Sequence, residues 1–154
     1  LGTFASGQVV VTAEGSRGPV GFTCQSFASL SLDPPLVYFA PGRGSSSWPR
    51  IRDVGAFCVN VLAADQEHCT VAFAQSGVDK FLGIEWSPAP SGAPILAGVA
   101  AWADCALWAE YDGGDQTIVV GSVAALGADP TLLPLLYFRV GYSLTRLASS
   151  DVTR

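Results

Sequence analysis

Two long runs face each other across a glycine pair in the second half of the chain: AAWADCALWAEYD (100–112) and QTIVVGSVAAL (116–126), with Gly113-Gly114 between them. Runs of that length, joined by residues suited to a tight turn, predict two long antiparallel strands. The rest of the chain supplies more strands of the same kind. QVVVTA (8–13) is one, and EGSRG (14–18) carries the Gly and Ser punctuation of a turn into another at 19–25. PLVYFA (35–40), AFCVNVLA (56–63) and PLLYFRVGY (134–142) read as three further strands. Two short helices interrupt them. Ser47 stands before Trp48-Pro49 as an expected N-cap, with Gly55 as the stop. Asp65 is the expected cap of a second helix ending at Gly77, with Cys69, Val71, Ala72 and Phe73 available for its buried face. Strands do not alternate with helices in βαβ fashion, so the expected fold is mainly β, an antiparallel barrel with short flanking helices in a single domain spanning 1–154.

Composition narrows the function. At 49% apolar and 14% charged residues the chain has ample core material, and part of its surface is expected to be covered by a partner, most simply a second copy. The net charge is −5 and the eight Lys and Arg are scattered, which gives nucleic-acid binding no electrostatic footing. No apolar run approaches the roughly 20 residues of a membrane-spanning helix. Residues 1–20 lack a basic start followed by an apolar block, so no signal peptide is expected. Cysteines at 24, 58, 69 and 105 form no C-x-x-C, and His68 is the only histidine. Reduced, mostly buried thiols in a cytoplasmic protein are expected, with no zinc site.

The standard catalytic sets are missing: the chain has no G-x-S-x-G, Walker loop, Rossmann glycine fingerprint or H-E-x-x-H. Chemistry, if there is any, then belongs to a bound cofactor. Two stretches could hold one. In RGSSSWPRIR (43–52), Arg43, Arg50 and Arg52 stand beside three serines and a helix start. That stretch reads either as an anion site or as an ordinary capped helix with a Ser-rich approach. In GFTCQSFASLSLDPPLV (21–37), Thr23, Gln25 and Ser29 fall on one side near accessible backbone amides. This second stretch reads either as a wall for a flat heterocycle or as a turn satisfying its own polar groups.

LGTFASGQVVVTAEG, GFTCQSFASLSLDPPLVYF, SSSWPRIRDVGAFCVNVLAADQE, KFLGIEW, GAPIL, GGDQTIVVGSV and PLLYFRVGY occur in an order and spacing that resembles the flavin reductase domain family over nearly the whole chain. The resemblance implies an FMN-binding split β-barrel, a homodimer with flavin near the subunit interface, FMN or FAD together with NADH or NADPH, and a partner monooxygenase that receives reduced flavin. Carried over by position, Thr23, Cys24, Gln25 and Ser26 border the isoalloxazine, and Phe27 and Ser29 continue that wall. Ala40 faces the ribityl chain. Ser45, Ser46, Ser47 and Trp48 form the phosphate end, joined by Arg50, while Lys80 and Phe81 resemble a basic-aromatic pair that closes the pocket. The family often has G-D-H near the second long strand, with the histidine linked to nicotinamide binding; here Gly114-Asp115-Gln116 stands there, and Gln116 keeps hydrogen-bonding capacity without a titratable ring. A flavin-binding module without reductase turnover is the alternative, and a barrel used only for protein association is a third reading.

Overall fold

The computed structural model describes residues 3–138 and 141–144. In chain order the elements are β1 (Ser6–Gly7), β2 (Val9–Gly15), β3 (Gly18–Cys24), β4 (Ala28–Leu32), β5 (Pro35–Phe39), α1 (Trp48–Val54) and β6 (Ala56–Val61). They continue with α2 (Glu67–Ala74), β7 (Trp86–Pro88), β8 (Pro94–Leu96), β9 (Ala101–Gly113), β10 (Gln116–Ala128), β11 (Leu135–Phe138) and β12 (Gly141–Leu144). The long hairpin expected around Gly113-Gly114 is β9–β10, the longest pairing among the described residues, with Gln116 opposite Gly113.

Seven strands form one antiparallel sheet in the order β3-β2-β6-β9-β10-β5-β4. Its two edges, β3 and β4, are consecutive in the chain, linked by residues 25–27, and do not pair with each other. The sheet is therefore antiparallel but open. It curls strongly enough that Phe22 of β3 and Phe39 of β5 approach to 6.2 Å between ring centroids. Helix α1 enters that concavity with Trp48 and Ile51, both buried, against Phe39, Phe57 and Val119. Rings of Phe39, Trp48 and Phe57 meet edge to face at 5.3–6.1 Å, a favourable arrangement of their quadrupoles.

β2 is buried on both faces, so Val9 to Ala13 are all inside and the run does not alternate; its one polar side chain, Thr12, is satisfied by donating to the Pro94 carbonyl at 2.6 Å. One face serves the concave core, while Val10 on the other meets a second cluster built on Leu62, Cys69, Phe73, Leu96 and Leu135. Asn60, fully buried, donates to the Val10 and Pro94 carbonyls and accepts the Leu96 N–H at 2.9 Å. That amide pins the small β7–β8 hairpin to the sheet with its polar atoms satisfied.

Several local expectations change. Ala28–Leu32, hydroxyl-rich and unassigned from sequence, is a strand, paired to β5 across the two-residue turn Asp33-Pro34. The run 134–142 is not one strand: β11 and β12 pair antiparallel within it, and residues 139–140 lie outside the described residues. Ser47 occupies the N-cap position of α1 but makes no capping bond; the Ser45 hydroxyl accepts the Trp48 N–H instead, at 3.1 Å. Gly55 does end α1, at φ 76°, a left-handed conformation that glycine takes without a Cβ penalty. Asp65 does not cap α2. Gln66 holds that start, accepting the Ala63 N–H and donating to the Ala97 carbonyl. Cys69, Thr70 and Phe73 form the buried face of α2, while Val71 falls on the opposite side and is 52% exposed.

Candidate functional site: a trough from the β3–β4 link to helix α1

Three adjoining clefts form one trough along the open side of the sheet. The central one, about 510 Å³, runs from Phe22 and Thr23 past Ser45, Ser46 and Ser47 to Phe73 and Lys80. Ser46, Ser47 and Lys80 also line the next cleft, about 320 Å³, which reaches Arg50 and Phe81. At the other end Thr23 and Ala74 open into a cleft of about 290 Å³ with Gln8, Cys24, Gln25, Thr70 and Tyr137.

The β3–β4 link forms the neutral end. The Thr23 hydroxyl donates to the Thr70 carbonyl at 2.8 Å and holds α2 against β3. Cys24 Sγ lies 3.0 Å from Ser26 Oγ, which accepts the Ala40 N–H at 2.8 Å. Ser26 thereby ties the link to the end of β5 across the open seam. Gln25 Oε1 accepts from Gln8 Nε2 at 3.4 Å. Phe27 packs against the concave core, and Ser29 is exposed on β4 beside Val37, so neither lines the trough.

Lys80 organises the cationic end. Its Nζ donates to the Gly21 carbonyl, Ser47 Oγ and the Phe73 carbonyl at 3.0, 3.2 and 3.2 Å, joining β3, the α1 approach and the end of α2. Ser47 takes αR backbone angles (φ −88°, ψ −39°) in place of the extended conformation of a capping residue, which explains why its hydroxyl turns to Lys80 and does not cap α1. Burial, and then the nearby Arg50 charge, push the Lys80 amine below its usual range. Phe81 stands edge to face on Phe73 at 4.9 Å and closes that end. Trp48 faces inward, its indole N–H donating to Glu110 at 2.9 Å, so it supports the serine loop from beneath.

The three arginines of 43–52 separate. Arg43 pairs with Asp112 and Arg52 with Glu110, leaving Arg50 without an ion pair among the described residues. Arg43 also fastens the 41–44 loop to the β9–β10 turn. Its guanidinium donates to the Gly114 carbonyl, its N–H to the Asp115 carbonyl at 3.0 Å, and the Thr117 N–H to the Pro41 carbonyl at 2.9 Å. The Gly114 N–H and the Arg43 guanidinium together hold the Asp112 carboxyl below the usual carboxylate range. Gln116 is half-buried across from Gly42, where an added Cβ would lie 3.6 Å from Gln116 Nε2. Because Gly42 lines the trough, Gln116 stands at its rim.

The donor set suits a flavin phosphate. Lys80 is bonded to neutral oxygens, and an anion between it and Arg50 would relieve the repulsion that disfavours the Lys80 ammonium. Beneath the neutral end the Thr70 hydroxyl is buried with no hydrogen-bond partner among the described residues, closed off from the trough itself. Sequence reasoning missed Thr70, Gln8 and Tyr137, since only folding brings them beside Thr23. All four cysteines are free and buried. Burial and the Asp104 charge push the Cys105 thiol up to about 12, so it is inert as a nucleophile.

The trough thus runs from a neutral, polar end to a cationic, hydroxyl-lined end on an antiparallel sheet, a donor arrangement that could hold a nucleotide-type cofactor. Residues 1–145 match the flavin reductase like domain, and the chain belongs to that family. The reductase subunit HsaB of a flavin-dependent monooxygenase from Rhodococcus jostii is 46% identical over 143 residues, covering 93% of this chain and 73% of that protein. The FMN reductase (NADH) SmoA of Agrobacterium fabrum is 42% identical, covering 80% of this chain and 70% of that protein. Among solved structures, the NADH:FAD oxidoreductase SgcE6 of Streptomyces globisporus C-1027, in complex with NAD and FAD fragments, superposes with a TM-score of 0.91 at 36% identity, covering 97% of this chain and 90% of that one.

Proposed function

We propose that this chain is an NAD(P)H:flavin oxidoreductase that supplies reduced flavin to a partner monooxygenase. The observation that carries the reading is the trough's polarity, a neutral link at Thr23–Gln25 and a cationic end at Ser46, Ser47, Lys80 and Arg50. Flavin, when bound, accepts the hydride that reduced nicotinamide gives up. The protein's share is positional: Thr23, Gln25 and Ser26 border the ring, the serine loop and Lys80 anchor the phosphate, and the Arg43 clamp holds the Gln116 rim over the same trough. No side chain in the trough is placed as an acid or base for the hydride step, as expected where the two nucleotides carry the chemistry.

The open seam between β3 and β4 is the split of a split barrel in this reading. A second copy covers the exposed Trp108, Tyr111 and Ile118 of the β9–β10 hairpin, so sedimentation is expected to give twice the 16.0 kDa chain. A reducing, cytoplasmic setting suits four buried free thiols. The second reading, flavin binding without turnover, draws on the amide of Gln116 at the rim in place of an imidazole. Oxidation of NADH and NADPH followed at 340 nm with added FMN or FAD separates the two. Flavin-dependent oxidation of either nucleotide is expected; flavin binding with no oxidation would overturn the reductase reading.

A further inference from the structure

We propose that the cleft between the β7–β8 hairpin and the ends of β9 and β10 remote from their turn binds a small organic cation, an alkylammonium compound held between tryptophans and carboxylates. The cleft, about 560 Å³, has the volume of a small-molecule site and shares no lining residue with the trough. The inference goes beyond the reductase reading and does not depend on it.

Two indoles and two carboxylates define the chemistry of the cleft. Trp86, on β7, meets Phe81 edge to face at 6.4 Å yet stays 37% exposed. Trp102, near the start of β9, is paired with Gly127 of β10 and lies directly on it. A Cβ at 127 would stand 2.6 Å from the Trp102 Nε1 and 2.8 Å from its Cε2, so only glycine lets the indole come this close to the strand. Leu96 and Val99, both buried, extend the apolar part of the lining. Glu85 and Asp129 are the charged residues there, and no Lys, Arg or His lines the cleft. Neither carboxylate makes an ion pair among the described residues. The Thr131 hydroxyl and N–H both donate to Asp129 Oδ1 and hold that carboxyl below the usual range.

An anion would be repelled by both carboxylates, and a neutral apolar ligand would leave them unanswered. Two carboxylates also fall short of a metal site: no group of three potential metal ligands exists among the described residues. A cation with an apolar body suits the whole lining. Its charge is attracted by the indole rings and by Glu85 and Asp129, while its alkyl groups cover Leu96 and Val99.

The chain has four tryptophans, at 48, 86, 102 and 108, so indole signals in a proton–nitrogen correlation spectrum report where a ligand sits. Choline is the probe, and dimethylbutanol, its uncharged carbon isostere, is the control. Choline is expected to shift the Trp86 and Trp102 signals saturably with a Kd of about 1 mM, leaving those of Trp48 and Trp108 in place. Dimethylbutanol is expected to bind at least about fivefold more weakly. Trp86→Leu, read on the Trp102 signal, is expected to weaken choline about fivefold, as is the double variant Glu85→Gln with Asp129→Asn. An amide at 129 still accepts from Thr131, so the double variant removes charge without that bond, and an unchanged Tm would verify that both variants fold. Equal binding of the two probes, or choline binding unaltered by the double variant, would overturn the cation assignment. No saturable shift by about 20 mM choline, or shifts spread over all four indoles, would overturn the site. No flavin or nicotinamide enters these titrations, so failure here leaves the reductase reading standing.

Discussion

Replacing Lys80 with Met removes the one side chain that joins three parts of the trough. Its ammonium donates to Gly21, Ser47 and Phe73, and it is the half-buried member of the Lys80–Arg50 pair, Arg50 being exposed. A hydrogen bond to a charged phosphate contributes about 1.5–3 kcal/mol, so the Kd for FMN should rise by about 10- to 150-fold. Riboflavin, which lacks the phosphate, should change by about twofold or less, because the neutral end at Thr23–Ser26 is untouched. The three protein bonds are only partly buried. Water can replace the donor there, so the fold should lose about 1 kcal/mol, or roughly 2–4 °C in Tm. The pH dependence gives an independent check. Burial and Arg50 set the folded-state pKa of Lys80 below its unfolded value, so between those two values the unfolded chain binds more protons and stability from this group rises with pH. Phosphate binding has the opposite sign: it favours the ammonium, so FMN affinity should fall as pH rises through the lowered pKa, before a free lysine would titrate. That fall should vanish in the Met variant and be absent for riboflavin. Fluorescence titrations with both flavins across pH would measure all of this. Equal weakening of FMN and riboflavin, or a pH profile shared by both, would refute the phosphate assignment.

Two further outcomes test the scaffold and the rim. Gly121→Ala would place a Cβ 2.7 Å from Phe57 Cζ and 3.2 Å from Cys105 Cβ, forcing the ring packed against Phe39 and Trp48 to move. Overpacking of this kind costs about 1–3 kcal/mol, or roughly 2–12 °C in Tm, and an unchanged melting curve would show that the aromatic core yields freely. Gln116→His is expected to raise NAD(P)H-dependent turnover or lower the KM for the nucleotide while flavin affinity stays within about twofold. A change in KM alone would indicate stronger uniform binding, and a change in kcat better positioning for hydride transfer. Kinetics unchanged from wild type at saturating flavin, with NADH and NADPH varied separately, would place residue 116 outside the nucleotide site.

What the amino-acid sequence determined on its own is the local and repetitive part of this protein. The β9–β10 hairpin follows from two long runs around Gly113-Gly114, and the end of α1 from a glycine free to take φ 76°. The ordered motif blocks carry family membership. The tertiary structure decided how identical residue types divide their work. Nothing local distinguishes Arg50 from Arg43 or Arg52; Asp112 and Glu110, on the far hairpin, neutralise the latter two and leave Arg50 to the trough. Nothing in the order of residues shows that Ser47 fails as a cap: the folded backbone holds it at αR angles, and its hydroxyl accepts from Lys80, 33 residues away. Ala28–Leu32 is hydroxyl-rich and exposed, and becomes a strand only because β5 offers it a ladder. Val71 satisfies apolar composition yet faces solvent, because the helix start held by Gln66 sets which face turns inward. Hydrogen-bond and charge partners are chosen by distance in space, and a chain read in order shows only distance along itself.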